Sequence, residues 1–235
     1  MSNKRNRGKN SNDDALFGSK KLQIKFKEAI KDMLYLLSRG YAEKSSLQLV
    51  GNKYRLNVRQ QQAIQGMSAS QQQMELRQVN EVYLNQLHSE TIIIDGFNLL
   101  IILESALSGA YLFKGVDGAY RDLSSVHGTY KRVQQTETAI HLVGETLKHH
   151  KVIWVFDQPV SNSGRLKTML REIAEQKGYH WDIILDHNPD KMLAQSKHII
   201  VSSDAWILDR TKHWLNLAAY LINQHIENSN IIEAQ

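Results

Sequence analysis

Thr91-Ile92-Ile93-Ile94 is a β-branched run that stops abruptly at Asp95-Gly96. It is too short for a typical helix and reads as a buried central strand. Further apolar runs at 152–156, 182–185 and 198–201 have the same character, and helical patterns follow them near Gly164, Pro189 and Asp204. Strands alternating with helices predict an α/β fold, a parallel, doubly wound sheet with helices on both faces. A helix apolar nearly all round is expected over 97–107, one opening at Thr136-Glu137, and a last one over 212–226. A hairpin is expected around Gly115-Val116-Asp117-Gly118. In an open parallel sheet the ligand crevice lies outside the carboxyl ends of the strands, so Asp95 stands where chemistry is expected.

Charge divides the chain. Residues 1–60 hold 14 Lys or Arg against 5 Asp or Glu, leaving 15 against 19 for the remainder. A basic module joined to a mildly acidic one suggests a grip on a polyanion, most often nucleic acid; a plain basic tail is the alternative. Residues 1–19 are too polar to order themselves and read as a flexible basic arm. Leu22, Phe26, Ile30, Met33, Leu34 and Leu37 then keep helical spacing. Residues 47–57 read as a hairpin turning at Gly51-Asn52. Residues 60–73, with seven glutamines, read as a solvated connector or the ends of two helices. Leu76, Val79, Tyr83, Leu84 and Leu87 continue a helical period. The chain thus divides into an arm (1–19), a basic helical and hairpin module (20–88) and an α/β domain (89–235). The middle module suits nucleic-acid binding or, equally, packing and dimerisation.

Cysteine is absent, which excludes disulfides, zinc ribbons and thiol nucleophiles. No run approaches 18 apolar residues and the start is polar, so a cytoplasmic protein without membrane partners is expected.

The ends of the strands carry the chemistry. Ile94 is followed by Asp95, Phe156 by Asp157, Leu185 by Asp186, and Val201 by Ser202-Ser203-Asp204. Each aspartate is also a good helix N-cap. Four of them at one sheet edge repel each other and raise their own pKa values, which a divalent cation would relieve. Oxygen ligands without cysteine point to a hard ion, Mg²⁺ or Mn²⁺.

Ile94-Asp95-Gly96-Phe97-Asn98 resembles the opening motif of the PIN-like nucleases, especially their NYN branch. Thr136-Glu137, Val155-Phe156-Asp157, Asn188-Pro189-Asp190 and Val201-Ser202-Ser203-Asp204 resemble that family's later acidic positions, in order, across residues 91–209. The segment 111–135 is longer than a minimal PIN-like domain has there, and Asp186 has no clear counterpart. The resemblance implies metal-dependent phosphodiester cleavage, most often of RNA. It implies one ion held by Asp95, Asp204 and Asp157 and a second held by Glu137 and Asp190, with Asn98 and Ser203 orienting water or a ligand carboxylate. Lys114, Arg121, Lys131 and Arg132 would meet phosphates, and Tyr120 and Tyr130 would stack on bases. His127 has the pKa to protonate a leaving oxygen, although a turn histidine is the plainer reading.

Glu104 ranks below Glu137 as an outer member of the site, Asp209 reads as a surface ion pair, and Trp154, Trp181, Trp206 and Trp214 read as core. A nucleic-acid-binding or assembly protein that keeps the fold without turnover is the competing class; phosphotransfer on a small molecule is a third. Oligomeric state and a regulatory protein partner stay open.

Overall fold

The computed structural model describes residues 7–124 and 130–234. Among these, five helices come first: α1 (Asp13–Phe17), α2 (Lys20–Ser38), α3 (Glu43–Lys53), α4 (Val58–Met67) and α5 (Gln71–Asn80). Strand β1 (Glu81–Val82) and a 3-10 turn, Leu84–Gln86, lead into β2 (Ile92–Asp95). There follow α6 (Gly96–Leu107), β3 (Tyr111–Lys114), β4 (Tyr120–Arg121), α7 (Thr136–Thr146), β5 (Val152–Asp157), α8 (Ser163–Lys177) and β6 (Trp181–Asp186). The chain ends with α9 (Pro189–Ala194), β7 (Ile199–Val201), α10 (Ala205–Leu208), β8 (Trp214–Leu215), α11 (Leu217–His225) and β9 (Asn230–Glu233).

The expected α/β architecture is what the chain forms. Six strands make one sheet in the order β1-β8-β7-β2-β5-β6, every pairing parallel, with β2 inside it. Alternation along β2 sends Ile92 and Ile94 into a thick layer with α6, α7, α8 and α11, and Ile93 into a thin one with Leu193 of α9 and Ile207 of α10. Helix α6 is apolar nearly all round because the sheet, α7, α11 and β3 all pack on it. No helix among the described residues is long and apolar enough to cross a membrane.

A second, three-stranded sheet, β4-β3-β9, contains the predicted hairpin as its antiparallel pair. Phe113 of β3 and Ile232 of β9 share a core with Phe26, Ile30 and Met33 of α2 and Ile64 and Met67 of α4. The N-terminal helices therefore roof this small sheet, burying apolar area that neither part could hide alone.

Several expectations fail here for local reasons. Of the arm expected over 1–19, residues 1–6 lie outside those described, and the rest is ordered: α1 forms and Phe17 is buried against Phe26 and Phe113. In place of a hairpin, residues 47–53 continue α3 and residues 54–57 turn the chain into α4. Gly51 is helical, and a Cβ there would meet the Gln61 side chain at 2.8 Å, so the glycine serves close approach of α3 to α4 instead of a turn. The glutamine-rich stretch, by contrast, bears out its second reading, the ends of two helices, each helix opened by a capping box, Asn57 with Gln60 and Ser70 with Gln73. The helical period expected up to residue 88 breaks at β1, and the last helix begins only at Leu217, because Trp214-Leu215 pairs with β1 and β7.

Candidate active site at the sheet's switch point

From β2 the chain adds β5 and β6 on one side, then crosses to place β7 on the other. The β2–β7 pair is thus the topological switch point, where open α/β sheets leave a crevice at their carboxyl ends. Asp95 and Ser202 meet there: Ser202 Oγ donates to Asp95 Oδ2 at 2.9 Å, while the Asn98 N–H points at Oδ1 from 3.4 Å. Asn98 Oδ1 accepts from both the backbone N–H and the hydroxyl of Ser203, at 2.9 and 3.0 Å. Asn98 and Ser203 therefore fix one another and hold the loop after β7 against the start of α6.

Helix α9, which carries Asp190 in its first turn, lies over β2 and β5 and touches α10. Asp95 is only partly exposed, with protein on most sides. Its burial, then Asp190 and Asp204, push the carboxyl up to about 7 against the hydrogen bonds of Ser202 and Asn98 that hold it down. Asp190 is also raised, by burial and then by Asp204 and Asp157. Asp95, Asp157, Asp190 and Asp204 thus lie in one shared field. Asp157 and Asp186 are register partners at the ends of β5 and β6, but Asp186 spends an oxygen on the Asn188 N–H at 2.7 Å.

The cap reading also holds in part. Asp204 Oδ1 accepts from the N–H groups of Trp206 and Ile207 at 2.8 and 3.1 Å. The donors at the corner are carboxylate and hydroxyl oxygens, the chemistry of a hard divalent ion, and the repulsion lifting Asp95 is what such an ion relieves. In the arrangement described, no group of three or more His, Asp or Glu side chains among the described residues is placed to hold a metal.

Glu137 is not brought to this corner. It is more than half exposed, and its partners are Arg132 at 2.9 Å and His141 at 4.0 Å. The segment between α6 and α7 also departs from expectation. Tyr120 and Tyr130 are 2% and 1% exposed, their hydroxyls committed to Asn223 and to Glu104, so neither is free to stack on a base. Lys114 pairs with Glu233. Arg132 is taken by Glu137, and Lys131 is exposed with its carbonyl bonded by Arg7. His127 lies outside the described residues.

Arg121 does reach the site, as a brace. Its fork grips Asp117 and its Nε donates to the Ser203 carbonyl at 2.9 Å. Arg77 of α5, with its side chain 2% exposed, donates to Asp117 at 2.6 Å and to Asp209 at 2.7 Å. Burial alone would raise the Asp117 carboxyl, but the Arg121 and Arg77 guanidiniums bring it down to about 2. Asp209 is therefore caught by a buried arginine far back in the chain and not paired at the surface with its neighbours.

A second buried network lies apart from the carboxylate corner. Glu104, fully buried, accepts from Tyr130 and from Thr136 at 2.6 Å and pairs with the Arg7 guanidinium. Burial still leaves Glu104 raised. It also keeps nearby Asp122 up at about 6.

Between these networks opens a cleft of about 710 Å³, walled by Gln62 and Gln65 of α4, Arg77 of α5, Asn98, Arg121, Ser203, Asp204, Trp206 and Arg210. Trp206, expected in the core, is 46% exposed at its rim. Helix α10 is a single turn, too short for a periodicity to say which way its tryptophan points.

Residues 84–220 match the family described as Domain of unknown function (DUF5616). The chain belongs to the DUF5616 family. Residues 25–79 match a second one, described as Protein of unknown function (DUF434). A relative described as an uncharacterized protein of Methanocaldococcus jannaschii is 31% identical over 203 residues, covering 85% of this chain and 97% of its own length. No solved structure matches. The carboxylate corner lies wholly in the DUF5616 region, whereas Gln62, Gln65 and Arg77 of the cleft wall come from the DUF434 region. The candidate site is thus built by both.

Proposed function

We propose that this protein is a metal-dependent phosphodiesterase acting on RNA, a PIN-like ribonuclease in which Asp95, Asp157, Asp190 and Asp204 would hold Mg²⁺ or Mn²⁺. The observation that carries the reading is Asp95 at the switch point, raised to about 7 by burial and by Asp190 and Asp204. Perturbed carboxylates cluster at functional crevices. When bound, such an ion activates water and takes up charge on the phosphate.

The chain's own residues supply the rest. Ser202 holds one Asp95 oxygen in place, and the Asn98–Ser203 pair keeps the loop bearing Asp204 beside it. Arg121 ties that loop to Asp117 from behind. The lysines of α2, including Lys20, Lys21, Lys25 and Lys27, give the N-terminal half the positive surface a polyanion needs. Glu137 has no part in this version of the site.

One observation favours the reading without turnover: Asp204 is engaged as a helix cap and Glu137 in an ion pair, so neither is held ready for a metal. Cleavage of RNA and single-stranded DNA oligonucleotides in Mn²⁺ or Mg²⁺, wild type against Asp95→Asn, separates the two. Metal-dependent cleavage lost in Asp95→Asn supports the nuclease. Unchanged oligonucleotide binding with no cleavage by either protein sinks it and leaves a binding or assembly protein.

A further inference from the structure

The aromatic residues expected to meet a base are buried, yet the cleft presents an aromatic ring that the sequence reading assigned to the core. Trp154 and Trp214 are 0% exposed, whereas Trp206 is 46% exposed two residues beyond Asp204. Among the four tryptophans it has the most exposed ring, and an aromatic with an open side at a cleft is suited to stacking. The Arg210 guanidinium lies 4.2 Å from the centroid of this ring and is anchored by a 3.0 Å bond from Nη1 to the Trp206 carbonyl. One face of the ring therefore carries a cation.

The position of the ring matters as much as its exposure. Trp206 and Arg210 line the main cleft and also a neighbouring hollow formed with Asn188, Asp190, Lys191, Ala194 and Gln195. The indole is a ridge between the two, with Asp204 on one side and Asp190 on the other. Exposed amides of Gln62 and Gln65 line the main cleft as well, and each offers both a donor and an acceptor. An aromatic ridge with a cation on it, amides nearby and basic Lys191 beyond is the chemistry of a single-stranded nucleotide: a base to stack, edges to hydrogen-bond and a phosphate to neutralise.

We infer that Trp206 is the stacking platform for one unpaired base of a single-stranded nucleic acid laid across the cleft, with Arg210 beneath the ring and Lys191 on the adjoining phosphate. This rests on the nucleic-acid reading above and adds a substrate requirement to it. A base on this ridge sets its own phosphodiester beside Asp190 and Asp204, so a fully paired duplex, whose bases are stacked on one another, would not fit. Trp206 positions the strand and takes no part in bond breaking.

The test is binding, measured without metal, of a labelled single-stranded oligoribonucleotide and of the same strand carrying abasic positions one at a time, to wild type, Trp206→Phe and Trp206→Leu. Base–aromatic stacking predicts that Trp206→Leu binds roughly 10-fold more weakly while Trp206→Phe keeps most of the affinity. One abasic position should weaken wild type by a similar factor and leave Trp206→Leu no weaker than before. The salt dependence should keep the same slope in all three proteins, because phosphate contacts are untouched. Equal affinity of wild type and Trp206→Leu, or the same abasic penalty in both, overturns the stacking role and leaves the nuclease reading intact. Failure of the wild type to bind any oligonucleotide, with Ca²⁺ added as well as without metal, overturns both, and would point to a protein partner as what covers the ring.

Discussion

Ser202 donates its hydroxyl to the Asp95 carboxylate at 2.9 Å, across the two strands between which the sheet reverses its order of growth. The bond is local, but the charge it steadies is shared, because Asp190 and Asp204 both press on the same carboxyl.

A pH dependence follows from the sign of that shift. The folded-state pKa of Asp95, about 7, lies above the ordinary 3.8, so its contribution is fully present below pH 4 and is lost as pH rises toward 7. Metal-free wild type should lose stability across that window, softened by the solvent that reaches Asp95. Asp95→Asn should lack this component and be at least as stable as wild type at pH 7. Urea midpoints at pH 4, 5.5 and 7 measure it. A divalent ion at pH 7 should raise the midpoint of wild type and not of Asp95→Asn.

Asp117 carries the opposite sign. Its carboxyl is held near 2 by Arg121 and Arg77, so its contribution is present above pH 4 and is lost as pH falls from about 4 toward 2. Asp117→Asn should flatten the acid limb of a stability profile. At pH 7 it should cost about 3 kcal/mol, because the Arg121 guanidinium loses its paired carboxylate while Arg77 keeps only Asp209. Since Arg121 also bonds the Ser203 carbonyl, the variant should weaken the proposed metal-dependent cleavage through the loop that carries Asp204.

How much of this was legible differs by element. Strands β2, β5 and β7 could be read because buried parallel strands are nearly continuous apolar runs, the edge strand β6 from its short Ile183-Ile184-Leu185 run, and the acids ending all four are adjacent in sequence to those runs. Strand β8 could not: two residues give no pattern. Gly51-Asn52 has the chemistry of a turn, and only the packing of Gln61 shows that it belongs in a helix. Arg77, Asp117 and Asp209 meet from three distant segments, so no local spacing announces their network. Tyr120 and Tyr130 misled because basic neighbours suggest a surface, whereas both rings point inward.

Gly96 can be tested for the same kind of close packing. A Cβ there would fall 2.2 Å from the Phe156 ring, which is itself pinned against Phe97 and Trp154. Gly96→Ala should therefore destabilise by about 1–3 kcal/mol, the usual range for an overfilled core. Adding Phe156→Leu should recover part of that loss. Thermal or urea unfolding of the two single variants and the pair gives the comparison; strictly additive losses would mean that the glycine serves the backbone of the Asp95 turn and not the room for Phe156.

Arg7 and Glu104 offer the sharpest test of how the start of the chain is held. Glu104 is fully buried and keeps Tyr130, Thr136 and the Arg7 guanidinium as partners, while the Arg7 ring contact with Tyr130 spans 4.8 Å. Removing the cation leaves a carboxylate that must be buried alone or take up a proton. Arg7→Ala should cost about 3 kcal/mol at pH 7, since breaking one side of a buried pair is far more damaging than replacing both. Glu104→Gln combined with Arg7→Ala should be more stable than Arg7→Ala alone, because the amide still accepts from Thr136 without a charge to compensate. The loss in Arg7→Ala should also shrink as pH falls and Glu104 takes up a proton. Unfolding free energies of the four proteins in this cycle at pH 5 and 7 measure the coupling; an Arg7→Ala cost near zero at both pH values would return the first residues to the status of a basic tail.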